Sequence, residues 1–153
     1  MNGRLRFEVP IVITLPRVME GEAEALLEIC KEPCAPIVHI RKPESSEREV
    51  EFLLDRLKVS GCDMSRLTIH YNEPLARKYG LGGVHLHGEE LEKGAGAGLR
   101  RSLSTHSWKE VQQYAGRVDY LFISPLFDSI SKPGYRSGLD PEETFFRLAH
   151  HDG

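Results

Sequence analysis

A chain of 153 residues with 20 Lys and Arg against 23 Asp and Glu can bury a sizeable core and is most simply one domain, residues 1–153. Its net charge of -3 gives no electrostatic reason to expect nucleic acid or an anionic membrane as a partner.

The first apolar run, Val9 to Leu15, is short, is interrupted by Pro10 and stopped by Pro16, and lacks a small-residue cleavage site. It reads as a strand over Ile11 to Leu15, not as a signal peptide or a membrane span. Val18 to Lys31 is helix-like, with Ala25, Leu26 and Ile29 on one face. Three cysteines, Cys30, Cys34 and Cys62, follow no export signal, so reduced, buried thiols in a cytoplasmic protein are expected. Cys30 and Cys34 with His39 match no standard zinc spacing. Ile37 to Arg41 is the second strand. Ser46 and Glu49 form a capping box for a helix running to about Lys58, with the stripe Val50, Leu53, Leu54 and Leu57. Leu67 to Tyr71 is the third strand, and a short helix starts at Pro74 and ends at Gly80. Gly83 to His87 and Leu99 to Ser104 are the fourth and fifth strands. Gly94, Gly96 and Gly98 precede a strand instead of joining a strand to a helix, so they read as a flexible loop rather than a nucleotide fingerprint. Ser107 and Glu110 cap the next helix, Val118 to Ser124 is the sixth strand, and Asp140, Pro141 and Glu143 open a last helix carrying Phe145, Phe146 and Leu148.

Six strand-helix repeats with short connections imply right-handed crossovers and a parallel sheet. Several strands alternate where strands buried on both faces would be continuously apolar. Val38 and Ile40 alternate with His39 and Arg41, Val84 and Leu86 with His85 and His87, and Leu103 with Ser102 and Ser104. Period two sends the apolar members toward the helices and collects His, Arg and Ser on the other face. That polar lining lies toward the carboxyl ends of the strands, where α/β barrels and open α/β sheets place their sites. The segment Asp119 to Lys132 adds an apolar strand that empties into a loop with Ser124, Ser129, Ser131 and Lys132, a combination suited to an anion. Of the seven histidines, His39, His70, His85, His87 and His106 fall at or near strand ends. A metal-dependent hydrolase using imidazoles with Glu89 or Glu90 is one reading of them; hydrogen-bonded packing groups are the other.

Taken together, His39-Ile40-Arg41-Lys42, Gly83-Val84-His85-Leu86, Ser104-Thr105-His106-Ser107 and Asp119 to Lys132 resemble the thiamine phosphate synthase/TenI family of (β/α)8 barrels. The likeness runs over essentially the whole chain. The resemblance implies an enzyme that joins a hydroxymethylpyrimidine diphosphate to a thiazole phosphate and releases pyrophosphate. A diphosphate leaving group gains charge as its carbon-oxygen bond breaks, which cations, hydroxyl donors and Mg²⁺ must offset. By resemblance, Arg41 grips the diphosphate with Lys42 nearby, and Ser104 donates to the same group. Ser129 and Ser131 stand where the family commonly has threonines that bind pyrophosphate, and Lys132 matches its lysine. Arg41 and Lys132 would then be catalytic, His39 and His70 would fall among the substrate-binding positions, and Glu90 would match one of two Mg²⁺-binding aspartates.

The departures are specific. The family's Gln before the arginine is His39, its lysine two places after the arginine is Pro43, and its strand-three Asn-Asp pair reads His70-Tyr71. A phenol does not replace a carboxylate for a hard cation. The tautomerase branch carries a histidine where this chain has Pro125. A closed barrel needs eight strands and usually about 200 residues or more, so the expected fold is an incomplete (β/α)8 TIM-barrel type with about six parallel strand-helix repeats, C-terminally truncated relative to the family. Either the chain is a fragment of a longer protein, the favoured reading, or a second subunit completes the sheet in a homo-oligomer. The expected partners are small phosphorylated molecules, with reduced or no activity for this chain alone. A non-catalytic phosphate or thiamine-precursor binding module, or a TenI-like tautomerase relative, is the alternative.

Overall fold

The computed structural model describes residues 9–125, 139, 140 and 142. Ser129, Ser131, Lys132 and most of the expected last helix lie outside them. The chain divides into two units, Phe7–Arg101 and a second whose described part begins at Ser102.

In the first unit β1 (Ile11–Ile13), α1 (Glu22–Cys30), β2 (Ile37–Ile40), α2 (Glu47–Val59), β3 (Leu67–His70), α3 (Glu73–Tyr79), β4 (Gly83–Leu86) and α4 (Gly88–Glu92) follow one another. The strands pair in parallel and in chain order: Ile13 lies beside His39, His39 beside Thr68, Thr68 beside Gly83, and His70 beside His85. β5 (Arg100–Thr105) starts within this unit, where the Arg100 N–H donates to the Gly82 carbonyl at 2.9 Å. In the second unit β5 pairs in parallel with β6 (Tyr120–Ile123), with α5 (Trp108–Tyr114) between them in sequence. Among the described residues, six parallel strands alternating with helices make the partial (β/α)-barrel type of α/β fold that the pattern predicts.

The local reasons are mostly those the sequence supplies. The Ser46 hydroxyl accepts from the Glu49 N–H at 3.2 Å, and the Glu49 carboxylate accepts from the Ser46 N–H at 2.7 Å. This capping box satisfies donors that have no partner inside the helix, and the hydrogen bonds from Ser46 hold the Glu49 carboxyl below its ordinary pKa. Val50, Leu53, Leu54 and Leu57 are all buried, and each such side chain contributes about 1.5–3 kcal/mol of apolar burial. Asn72 caps α3 through the Leu75 N–H at 3.1 Å, and Gly80 closes it in the left-handed region at φ 65, which glycine enters without Cβ strain.

Three details differ from expectation. α1 begins at Glu22, not Val18, because Gly21 at φ 77 turns the chain immediately before it, and its buried face is Ala23, Leu26 and Cys30 rather than Ala25 and Ile29. The short helix α4 was not anticipated; five residues are too few for a 3.6-residue period to show. The glycine loop expected to be flexible is tied to α3: Glu73 accepts from the Gly96 N–H and Arg77 donates to the Ala97 carbonyl, each at 2.9 Å.

Lys42 follows β2, and its side chain is only 2 % exposed. Its ammonium donates to the Leu15 carbonyl at 2.8 Å, the Arg17 carbonyl at 2.9 Å and the Glu22 carboxylate. One buried cation thus fixes the β1–α1 loop and the start of α1 against the end of β2. Removing one partner of a buried pair strands the other, which costs about 3–5 kcal/mol. Lys42→Ala is expected to lower stability by about 3 kcal/mol or more in urea unfolding; a loss under about 1 kcal/mol would show that the Glu22 pair is not holding the loop.

Candidate functional site

The register that buries Val38, Ile40, Leu67, Ile69, Val84 and Leu86 places His39, Arg41, Thr68, His70, Gly83, His85 and His87 on the opposite face of β2, β3 and β4 and their ends. At its amino-terminal end, Arg100 donates to the Ser65 carbonyl and to the Thr68 hydroxyl, each at 3.2 Å. A Cβ on Gly83 would meet the Thr68 hydroxyl at 2.5 Å and the Arg100 carbonyl at 3.0 Å, so glycine there leaves room for both.

Above this layer three imidazoles converge. His39 Nδ1 lies 2.8 Å from His70 Nε2, the His70 and His85 rings stack with centroids 4.1 Å apart at 18°, and His39 meets both edge-on. His39 and His85 are fully buried and His70 is partly so. Burial is the main reason their pKa values fall: to about 3 for His39, with His85 and Arg100 adding; to about 2 for His70, with His85, His39 and Arg41 adding; to about 4 for His85, with His87 and Arg41 adding. All three are therefore neutral imidazoles at physiological pH.

The rim is made by Arg41, Tyr71 and His87. Arg41 is exposed, and its N–H donates to the Thr14 hydroxyl at 3.1 Å. Tyr71 sits at φ 58, a conformation that costs a bulky residue on the order of 1 kcal/mol. Its N–H donates to the His85 carbonyl at 2.8 Å, and its ring stacks on His87 at 3.8 Å and 3°. Burial raises the Tyr71 pKa, with Arg41 opposing and Glu90 reinforcing the shift, so this phenol remains a neutral donor.

The structure thus brings together Arg41, His39 and His70 from the expected set and adds His85, whose signal was its place on the polar side of the fourth strand's alternation. Lys42 is placed differently, since its ammonium is spent on the β1–α1 loop and Glu22. Ser104 belongs to the second unit, exposed on β5 between buried Leu103 and Thr105. There His106 Nδ1 lies 2.7 Å from the Ser124 carbonyl, and Ser107 caps α5 through the Glu110 N–H at 3.3 Å. The thiols also divide: Cys30 is buried and Cys34 exposed, while Cys62, pushed up to about 12 by burial and by Cys30, is half-buried. Cys34 therefore departs from the expected buried state.

The two carboxylates that the resemblance implies for Mg²⁺ are not reproduced. One position is Tyr71; at the other, the Glu90 carboxylate accepts from the His87 N–H at 2.7 Å and secures the start of α4. Mg²⁺ takes carboxylate and phosphate oxygens, whereas the donors that converge among the described residues are imidazole nitrogens. The residues present do not fit a two-carboxylate magnesium site.

A partial parallel α/β barrel with a polar face at the carboxyl ends of its strands is the class that this fold and site define. Among solved structures it is similar to thiamine phosphate pyrophosphorylase from Bacteroides thetaiotaomicron, at 28% identity and a TM-score of 0.65 over 77% of this chain and 58% of that one. It has the fold of thiamine phosphate pyrophosphorylase from Pyrococcus furiosus, at 20% identity and a TM-score of 0.61 over 82% of this chain and 64% of that one. These likenesses bear out the resemblance drawn from the motifs, and the chain spans less than two thirds of the length of either protein. No family model and no curated protein matches it. No helix among the described residues is long and apolar enough to cross a membrane.

The neutral imidazoles set a pH dependence. Their folded-state pKa values of about 3, 2 and 4 lie below the ordinary value of 6.5, so between about pH 6.5 and 4 the unfolded chain binds more protons. Stability then falls as pH falls through that window, by up to about 1.4 kcal/mol per pH unit for each imidazole. Urea unfolding compared at about pH 7 and about pH 5 is expected to show this slope, and His85→Phe to flatten it. An equal slope in both proteins would count against burial of His85 as a neutral group.

Proposed function

We propose that this chain carries the diphosphate-holding part of a cytoplasmic thiamine phosphate synthase-type transferase. The observation that carries the reading is Arg41, exposed at the carboxyl end of β2 over a floor of neutral imidazoles, in a fold similar to thiamine phosphate pyrophosphorylases. Arg41 would bind the diphosphate of a hydroxymethylpyrimidine diphosphate. As the carbon-oxygen bond to that group breaks, the electron pair leaves with the pyrophosphate, and a preorganised guanidinium stabilises the growing charge more than it stabilises the bound substrate. Tyr71 is neutral and exposed, so it can donate a hydrogen bond to a phosphate oxygen, while His39 and His70 form an uncharged floor beneath it. Ser104, Ser129, Ser131 and Lys132 complete the leaving-group side in this reading, with Lys132 as the second cation.

A second reading has its own observation. Tyr71 in place of an expected carboxylate favours a binding module that holds a phosphorylated precursor without releasing pyrophosphate. The tautomerase alternative has less support, because Pro125 stands at the position of its histidine.

Calorimetric titration with pyrophosphate, run with and without Mg²⁺, tests the proposal. Saturable binding is expected, weakened at least about tenfold by Arg41→Ala and by Lys132→Ala, as fits the loss of one charge-assisted contact each. Absence of binding, or binding indifferent to both substitutions, would overturn it. Incubation with the pyrimidine diphosphate then separates the two readings: pyrophosphate release with a thiazole phosphate present supports the transferase, and binding without release supports the module.

A further inference from the structure

We propose that His39, His70 and His85 form a binding site for a single transition-metal ion of the Zn²⁺ class. Each ring offers a ligand nitrogen, and these atoms lie within 4.8 Å of one another. The three residues come from adjacent parallel strands held in register by backbone pairing, and three convergent imidazoles with a further position open are a recurring catalytic zinc ligand set. This inference does not rest on the reading of Arg41 as a diphosphate ligand.

A layer of packed histidines is the simpler account, and one feature weighs against it. Burying imidazoles carries a desolvation penalty that Thr, Val or Leu at the same interior positions would avoid or reduce. Metal binding needs little movement. In the metal-free state His39 Nδ1 and His70 Nε2 share one proton across 2.8 Å. For both atoms to become ligands, His39 must carry its proton on Nε2 and His70 on Nδ1, a change of tautomer with no net loss of protons. The rings must also part slightly, because ligand nitrogens around a tetrahedral ion at about 2.0–2.1 Å stand further apart than hydrogen-bonded ones.

The surroundings define which ion. Arg41 bears on His70 and His85, and Arg100 on His39, each opposing positive charge. A hard ion bound mainly by Coulomb attraction gains nothing there. An ion whose affinity comes from nitrogen coordination can still bind, which selects Zn²⁺, Co²⁺, Ni²⁺ or Cu²⁺ over Mg²⁺ and Ca²⁺.

The test uses the full 153-residue chain without an affinity tag. Titration with Co²⁺, followed by visible absorption, is expected to reach one ion per chain with a low-coordinate spectrum, to be reversed by Zn²⁺ and to resist excess Mg²⁺. His70→Ala is expected to weaken Zn²⁺ at least about a hundredfold in competition with a chromophoric chelator, more than loss of an outer-shell partner would. Cys34→Ser, which removes an exposed thiol outside the cluster, should leave it unchanged. Because His70→Ala could unfold the chain, X-ray absorption on the zinc-loaded wild-type protein counts the ligands directly, and three imidazoles are expected. No saturable binding, displacement by Mg²⁺, equal affinity in the wild type and His70→Ala, or fewer than two imidazoles at the zinc would each overturn the site.

Discussion

A strand in a parallel sheet sends every second side chain away from its helices, and whatever stands there must be buried in its own way. In β2, β3 and β4 that second set is Thr68, Gly83 and three imidazoles, with Arg100 beneath them. The hydrogen bond between His39 and His70 and the stacking of His70 on His85 tie this polar layer together. The cost is the ability to protonate: a charge on any one ring would face its neighbours and an arginine inside a desolvated space. The fold therefore keeps three strand-end histidines neutral where free histidines would begin to titrate near physiological pH.

What could be read from the sequence was what short range determines. The capping box at Ser46 and Glu49, the stripe of α2 and the stop at Gly80 each depend on residues within one or two turns, and each is found where the pattern puts it. The alternation of β2 and β4 likewise needs only neighbours. Lys42 could not be read this way, because its acceptors are Leu15, Arg17 and Glu22, at least 20 residues away. A lysine next to an anion-binding arginine looks like a second ligand until the loop that consumes it is in place. Glu90 is a similar case, since it completes a capping box whose first member is His87 instead of the usual Ser or Thr. The convergence of His39, His70 and His85 required strand register, which alternation implies but does not align.

The departures from the synthase pattern fall together in space, not at scattered points. His39, His70 and Tyr71 stand where the resemblance would have Gln, Asn and Asp, and all three lie on the same face as Arg41. Replacing two amides and a carboxylate with two imidazoles and a phenol leaves this face without the negative charge of an Asp. Tyr71 adds backbone strain at φ 58 and a stack on His87 that replaces what a small acidic side chain would leave open. These departures all lie on the polar face and leave the apolar face toward the helices as the strand alternation predicts.

The anion and metal readings then act on one another through charge. A dication on the imidazoles meets opposition from Arg41, and an anion on Arg41 removes much of it. At short range in a partly desolvated setting that interaction is worth several times its value in water. Linkage makes the effect reciprocal: if pyrophosphate favours the metal, the metal favours pyrophosphate by the same factor. If both readings hold, a phosphate on Arg41 would supply beside the imidazoles the negative charge that the side chains there do not provide.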